Sequence, residues 1–502
     1  MTPPAGGTGR LARGLSATAR AIVFADVVDA ELDTELRHSS TVDLAHVVML
    51  ERAGLIGAPT AAVLLTHIQA LRDNGFAPLR GRHAPRGAYL LYEEHLIGVT
   101  GIEHGGKLHL GRSRNDLKAT TLRLRLRERI AVLLRETLRS SAVLLSAARR
   151  HRATVMPAYT QYQPAVPITY GHWLLGAATA MGRHVEDLFA VEGSLRECPL
   201  GASAIGGSDL PIDAAVTARL LGFDGPVPNS VDAVAARDHV LRALAAAGAL
   251  AVTASRLATD LLLWCTAENP LLSLPDELVG SSSAMPQKRN PFLLEHVRAK
   301  SAHVAAAWTA AAGAMHGTPF GNSVEAGTEG TSPVWDGLAT TLDALVLLRL
   351  VLTRARPRGA DMLERADTGG TTATALANRL TRRGMPFRAA HRVVGEAVRE
   401  VCAAGPVSGD RLATAVARRA RDLGGSDADL DRELRACTVS RVTELSDYGG
   451  GPGPASFAAG FGAAAGKWAA DVARLGELRR GWAGAETELA RAVAALTARS
   501  GS

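Results

Sequence analysis

The chain has 502 residues, carries 56 basic against 49 acidic side chains, and is 47% apolar with only 4% aromatic residues. That length predicts two to four domains, and a core poor in rings must be built from Ala, Leu and Val, which favours helices over a sandwich or barrel. The charge excess of +7 is small and dispersed, which argues against a nucleic-acid binder. Cys198, Cys265, Cys402 and Cys437 form no CxxC pair, which argues against a disulfide framework or zinc site and fits a reducing compartment, by default the cytoplasm.

In chain order, residues 1–20 are rich in Gly, Pro, Thr and Ala and read as a disordered tail. Arg10, Arg13 and Arg20 are followed by no continuous apolar stretch, so a signal peptide is not expected. No uninterrupted run of about 18 apolar residues occurs, so no membrane span is expected either. Residues 21–115 read as an N-terminal helical domain of short helices broken at Gly54, Gly57, Pro59, Pro78 and Pro85.

Proline then becomes scarce, and residues 116–357 read as a central bundle of about five long helices, at 117–150, 168–195, 234–265, 292–316 and 334–355. Arg123, Arg125, Arg127 and Arg129 stand at every second position of the first, a spacing that spreads them around a helix as a solvated or salt-bridged face. In 234–265, one apolar seam runs through Val240, Leu244, Ala247, Ala251, Ala254, Ala258, Leu261 and Cys265. A second runs through Leu241, Ala245, Gly248, Val252, Ser255, Thr259 and Leu262. Two seams predict a helix packed on more than one side. Residues 358–502 read as a C-terminal helical domain, with helices at 371–384, 387–403, 409–423 and 465–498 and a glycine-rich break at 449–453. The fold class is all-α.

Three polar, glycine-bearing segments lie at the ends of the expected long helices. Gly111-Arg112-Ser113-Arg114-Asn115-Asp116 offers guanidinium and amide donors beside a helix start, which suits an anion; Asp116 equally suits a plain N-cap. Pro157 to Pro167 holds three prolines and reads as an extended loop, either a rigid connector or a presenter of Thr160, Gln161 and Gln163. Gly280-Ser281-Ser282-Ser283-Ala284-Met285-Pro286-Gln287-Lys288-Arg289-Asn290-Pro291 is either a flexible linker or a built polar loop.

The third segment resembles the GSSxMPxKxNP signature of the fumarase/aspartase superfamily, with Ser281 in place of the pattern's glycine. The other two segments resemble that superfamily's remaining motif regions, in order. Within it, the runs GGKLHLGRSRND (105–116), PLGASAIGGSDLPID (199–213), LGFDGPVPNSVDAVAARD (221–238) and GMPFRAAHRVVGEAVR (384–399) resemble argininosuccinate lyase, and the likeness spans roughly residues 22 to 480. It implies a three-domain helical fold, a homotetramer with sites shared between subunits, and a succinyl-amine substrate, with no cofactor, metal, nucleic acid or membrane. By matching position, Ser282 is the implied base, with Ser283 beside it. Lys288, Asn290 and the loop amides are the implied holders of the carbanion's charge, with Lys288 also lowering the Ser282 pKa. Arg114, Asn115 and Thr160 are the implied carboxylate holders, joined in substrate binding by Ser113 and Gln287.

Three departures stand out. Gln161 occupies the place of the family's histidine and cannot exchange a proton near neutral pH. The family's YNKDxQEDK stretch is here Gly321 to Glu329, without its aromatic residue, glutamine and final lysine. Ala25 and Asp26 align with the family's N-terminal substrate-binding serine. The fumarate half is kept and the amine half changed, which predicts elimination of an amine other than arginine. Argininosuccinate lyase itself and an inactive structural relative are the alternatives.

Overall fold

The computed structural model describes residues 15–23, 29–84, 87–423 and 427–498; Arg10, Arg13, Ala25, Asp26 and Pro85 lie outside them. Within the stretch expected as a tail, the Ala-rich segment Ala17–Val23 is helical, in keeping with its intrinsic propensity. Pro59 and Pro78 begin helical segments rather than end them: each stands in a first turn, at Ala58–Asp73 and Ala77–Leu79, where a missing N–H costs nothing.

Five long helices make the centre: Arg114–Arg150, Tyr170–Gly193, Asp238–Leu263, Phe292–Met315 and Pro333–Arg354. Their contacts fix the directions. Trp264, just past the end of the third, packs edge-on against Trp173 near the start of the second, with ring centroids 4.8 Å apart. Gly337 lets the fifth approach the third closely, since a Cβ there would stand 2.6 Å from a Leu244 methyl.

In Asp238–Leu263 the first seam is buried from Val240 to Leu261. The second is not closed within the chain: Val252 is 52% exposed, and Leu241, Gly248, Ser255, Thr259 and Leu262 are half-buried. Phe292–Met315 beside it leaves Trp308 42% exposed. Asp238–Leu263 is long and apolar enough to cross a membrane by length and composition, although scattered polar residues keep it from being an unbroken apolar run. Its first seam is instead packed in the bundle.

The arginine row is a solvated or salt-bridged face only in part: Arg129 is exposed and Arg125 pairs with Glu35 at 4.0 Å, but the rest of the row is covered. Arg123 is buried, Arg125 stacks over Trp335 with 4.0 Å to the ring centre, and Arg127 stacks over Phe223 and Trp482. Neighbours surround that helix, so its long side chains bury their stems against rings.

Ala373–Arg382, Phe387–Ala403 and Gly409–Asp422 share a separate small core with Leu430 and Leu434. The last helix does not belong to it. Pro454–Ala498 starts eleven residues before the expected 465, opened by Asp447, whose carboxylate accepts the Ala455 and Ser456 N–H groups. It contributes Phe457 and Leu475 to the bundle core, and Leu489, Val493 and Leu496 to the N-terminal core. The boundary drawn at 358–502 therefore divides in packing at this helix, whose apolar side chains find partners only far along the chain.

Candidate active site

The first motif is built into the start of Arg114–Arg150. Ser113 is extended and its Oγ accepts the Asn115 N–H at 3.3 Å, while Asp116 Oδ1 accepts the Ser113 N–H at 3.0 Å, a capping box. Asp116 is fully buried, and its other oxygen accepts the N–H groups of Gly201 and Ser203 at 3.0 and 2.8 Å. Burial pushes its carboxyl up, against the pull of those amides and of Arg112. The cap reading of Asp116 thus holds, and the same residue ties the 199–213 run to the motif. Asn115 is held on both sides: its Nδ2 donates to the Ala204 carbonyl at 2.9 Å, and its Oδ1 accepts from Asn322 Nδ2 at 3.0 Å. Arg114 is exposed and makes no ion pair among the described residues, so its guanidinium is free for an anion.

The second motif is a β-hairpin, not a loop. Val155–Thr160 pairs antiparallel with Gln163–Thr169, with a bulge between Pro157 and Tyr159. A free-standing two-stranded ribbon has unpaired edges that tolerate proline. Its turn residues, Gln161 (φ 52°) and Tyr162 (φ 63°), are both left-handed, the geometry of a two-residue type I′ turn. Asn-Gly signals that turn in a sequence and Gln-Tyr does not, so the hairpin was not legible. Thr160, Gln161 and Gln163 are exposed around the tip. Gln161 and Tyr162 also face a cleft lined by Tyr159, Trp173, Trp264 and Asn269.

The third motif is a loop closed at its neck. The Gly280 N–H donates to the Asn290 carbonyl at 2.8 Å, and the Asn290 N–H donates back to Gly280 at 2.9 Å. Within the loop, Ser282 Oγ accepts the N–H groups of Ala284 and Met285 at 3.4 and 3.1 Å. An oxygen held by two amide donors is favoured in its anionic form. Arg289 anchors the neck through Asp276 and the Leu274 carbonyl. Ser283, Gln287 and Lys288 are exposed, and Lys288 makes no contact with Ser282 in this chain. The cation expected to activate the serine is therefore poised on the loop rather than engaged.

One chain does not bring the three motifs together. The first motif opens the 37-residue helix Arg114–Arg150 and the hairpin follows its end, so at 1.5 Å per residue they lie about 55 Å apart. The signature loop precedes the 24-residue helix Phe292–Met315, whose far end leads to Asn322 beside Asn115, a separation of about 36 Å. No hydrogen bond joins the hairpin tip to the signature loop among the described residues. Asn322 and the 201–204 backbone are parts of the first site that residue chemistry alone did not single out. Their signals were the family-like wording of 199–213 for the backbone and the altered Gly321–Glu329 stretch for Asn322.

A long-helix bundle with these three motif regions at the ends of its helices defines a lyase of the fumarase/aspartase type. A family model described as lyase matches residues 91–306, and one described as argininosuccinate lyase C-terminal matches residues 370–424. The chain is 38% identical to an argininosuccinate lyase of Methanoculleus marisnigri over 83% of its own length and 84% of the relative's. It is 35% identical to that of Azotobacter vinelandii, over 84% and 90%. Among solved structures, EDDS lyase in complex with formate superposes with a TM-score of 0.86 at 26% identity, covering 97% of each chain. The chain belongs to the argininosuccinate lyase family and is a fumarate-releasing carbon–nitrogen lyase.

Proposed function

We propose that this enzyme eliminates an amine other than arginine from an N-substituted aspartate, in sites each assembled from three subunits of a homotetramer. The observation that carries the substrate reading is the placement of the altered segment. Asn322 hydrogen-bonds Asn115, so Gly321–Glu329 lies beside the carboxylate-holding end of the site, and it lacks the aromatic ring, glutamine and lysine of the family pattern.

In the proposed reaction Ser282 takes the proton from the carbon next to a succinyl carboxylate. The electron pair moves onto that carboxylate as a dianionic aci-carboxylate, held by Lys288, Asn290 and the loop amides. Its collapse forms the carbon–carbon double bond and breaks the carbon–nitrogen bond. The nitrogen enters the step protonated as an ammonium, so it takes the electron pair and leaves as the neutral amine without a proton from the enzyme. Preorganised donors at the developing charge are usually the largest catalytic contribution. Arg114, Asn115 and Thr160, with Ser113, Ser283 and Gln287 around them, hold the succinyl carboxylates. Gln161 orients the substrate by hydrogen bonding and transfers no proton.

The assembly reading is supported by the separations of about 55 and 36 Å and by the open seam at Val252 and Trp308. The structural likeness to EDDS lyase supports a leaving group other than arginine, whereas 38% identity to an argininosuccinate lyase favours the standard substrate as the second reading. Steady-state kinetics on argininosuccinate beside a panel of N-substituted aspartates separates them. Argininosuccinate should be slower than the best member by roughly 10²–10⁴-fold, the effect of losing two charge-assisted contacts. An efficiency of about 10⁴ M⁻¹s⁻¹ or more on argininosuccinate restores the standard assignment.

A further inference from the structure

Two guanidiniums lie buried near the first motif without a carboxylate partner. Arg237, just before the Asp238–Leu263 helix, is 7% exposed, and Arg123 is 5% exposed. Arg237 Nη1 donates to the carbonyls of Val234 and Ala236 at 3.0 and 2.6 Å, while its Nε has no acceptor and Nη2 makes no hydrogen bond. Arg123 donates from Nη1 to the Glu197 carbonyl at 2.5 Å, and its Nε too is unsatisfied. Burial and the charge of Arg123 bring Arg237 down to about 10. Burial and the cations Arg123, Arg237 and Arg242 push the His239 imidazole down. Asp232, Glu197 and Asp238 partly offset the charge of Arg123, whereas no acidic group stands among the influences on Arg237. Native proteins rarely keep a buried cation unpaired, because desolvation is then uncompensated.

The approach to Arg237 lies at Gly327. A Cβ there would stand 3.8 Å from Arg237 Nη2 and 3.3 Å from Asn322 Oδ1, and Asn322 in turn bonds Asn115. Glycine therefore leaves about a methyl-sized space between Asn322, the partner of Asn115, and the unpaired Arg237 guanidinium, with no side chain of residue 327 covering Nη2. Glu325 and Glu329 of the same turn are exposed.

We infer that Arg237 determines specificity by pairing with a carboxylate carried on the leaving amine, beside Gly327. Only Asn322 separates that space from Asn115, so the carboxylate stands a short distance from the succinyl group, as in a short amino acid and unlike arginine. This rests on the amine-eliminating reaction proposed above. Guanidinium matches carboxylate geometry with paired donors, and Nε and Nη2 are the two free here.

The test uses the full-length enzyme and two substrates that share a three-carbon chain but differ in its terminal carboxylate, the aspartate adducts of β-alanine and of propylamine. Wild type should prefer the β-alanine adduct, and Arg237→Gln should lower that preference by about 10²-fold, chiefly through KM, the effect of losing a charge-assisted contact. Arg237→Lys should restore part of it, and Gly327→Glu should lower it by filling that space with a competing carboxylate. Equal losses on both adducts, or an unchanged preference, overturn the inference and leave Arg237 a structural group. If wild type releases fumarate from neither adduct, it is the substrate reading that fails. Calorimetric binding of β-alanine against propylamine then decides on Arg237, and equal affinities in wild type overturn it.

Discussion

The start of the Arg114–Arg150 helix and the signature loop are both polar, both glycine-bearing and both assigned to the same reaction, yet they are built in opposite ways. At the helix start, Asp116 is fully buried and its oxygens accept N–H groups from Ser113, Leu117, Gly201 and Ser203, so the end proposed to hold the carboxylates is built on a hydrogen-bonded frame. The signature loop hangs between one backbone bridge and Arg289, with Ser283 to Arg289 exposed. The proposed binding groups thus stand on a preorganised frame, while the proposed base stands on an exposed loop tied at its neck, the kind of segment that closes over substrate in active sites.

The sharpest way to break that contrast is to remove the neighbours that would complete the site. Val252→Glu places a charge on the open seam, and it should abolish fumarate release while leaving a folded chain. Sedimentation should show wild type at about four times the 52.4 kDa chain mass and the variant below it. A monodisperse, active wild-type monomer rules out shared sites.

On the loop side, Ser282→Ala should lower turnover by about 10²–10⁴-fold, the range for a positioned base, with little change in melting temperature. Its Oγ bonds only loop amides. Near-normal fumarate absorbance at about 240 nm would move the role elsewhere, first to Ser283.

On the helix side the effect should appear as stability. Asp116→Ala leaves several buried amides without an acceptor and should cost about 3 kcal/mol or more, read by denaturant unfolding. A loss of activity with unchanged stability would reverse the contrast.

The smallest effect lies at the hairpin tip. Tyr162 holds a left-handed conformation that costs a side-chain-bearing residue about 1 kcal/mol. Tyr162→Gly should raise stability by up to that amount, and a lower melting temperature would show that the ring's packing outweighs the strain.

The order of elements, the five long helices and the three motif segments were determined by local chemistry: proline spacing, Ala and Leu propensity, and apolar seams that repeat with helical period. What the tertiary structure decided was each group's environment. Arg123 reads locally as a surface charge and is buried because neighbours cover its helix on that side. Pro157 to Pro167 reads as a loop and is a hairpin because two unsignalled residues adopt left-handed turns. The last helix reads as part of the C-terminal unit and packs on the bundle and the N-terminal core, since its apolar partners lie hundreds of residues away. Asn322 meets Asn115 across 207 positions, and Arg237 is buried with carbonyls as its only hydrogen-bond partners among the described residues. Periodicity records which face of a helix is apolar; only packing settles what that face meets.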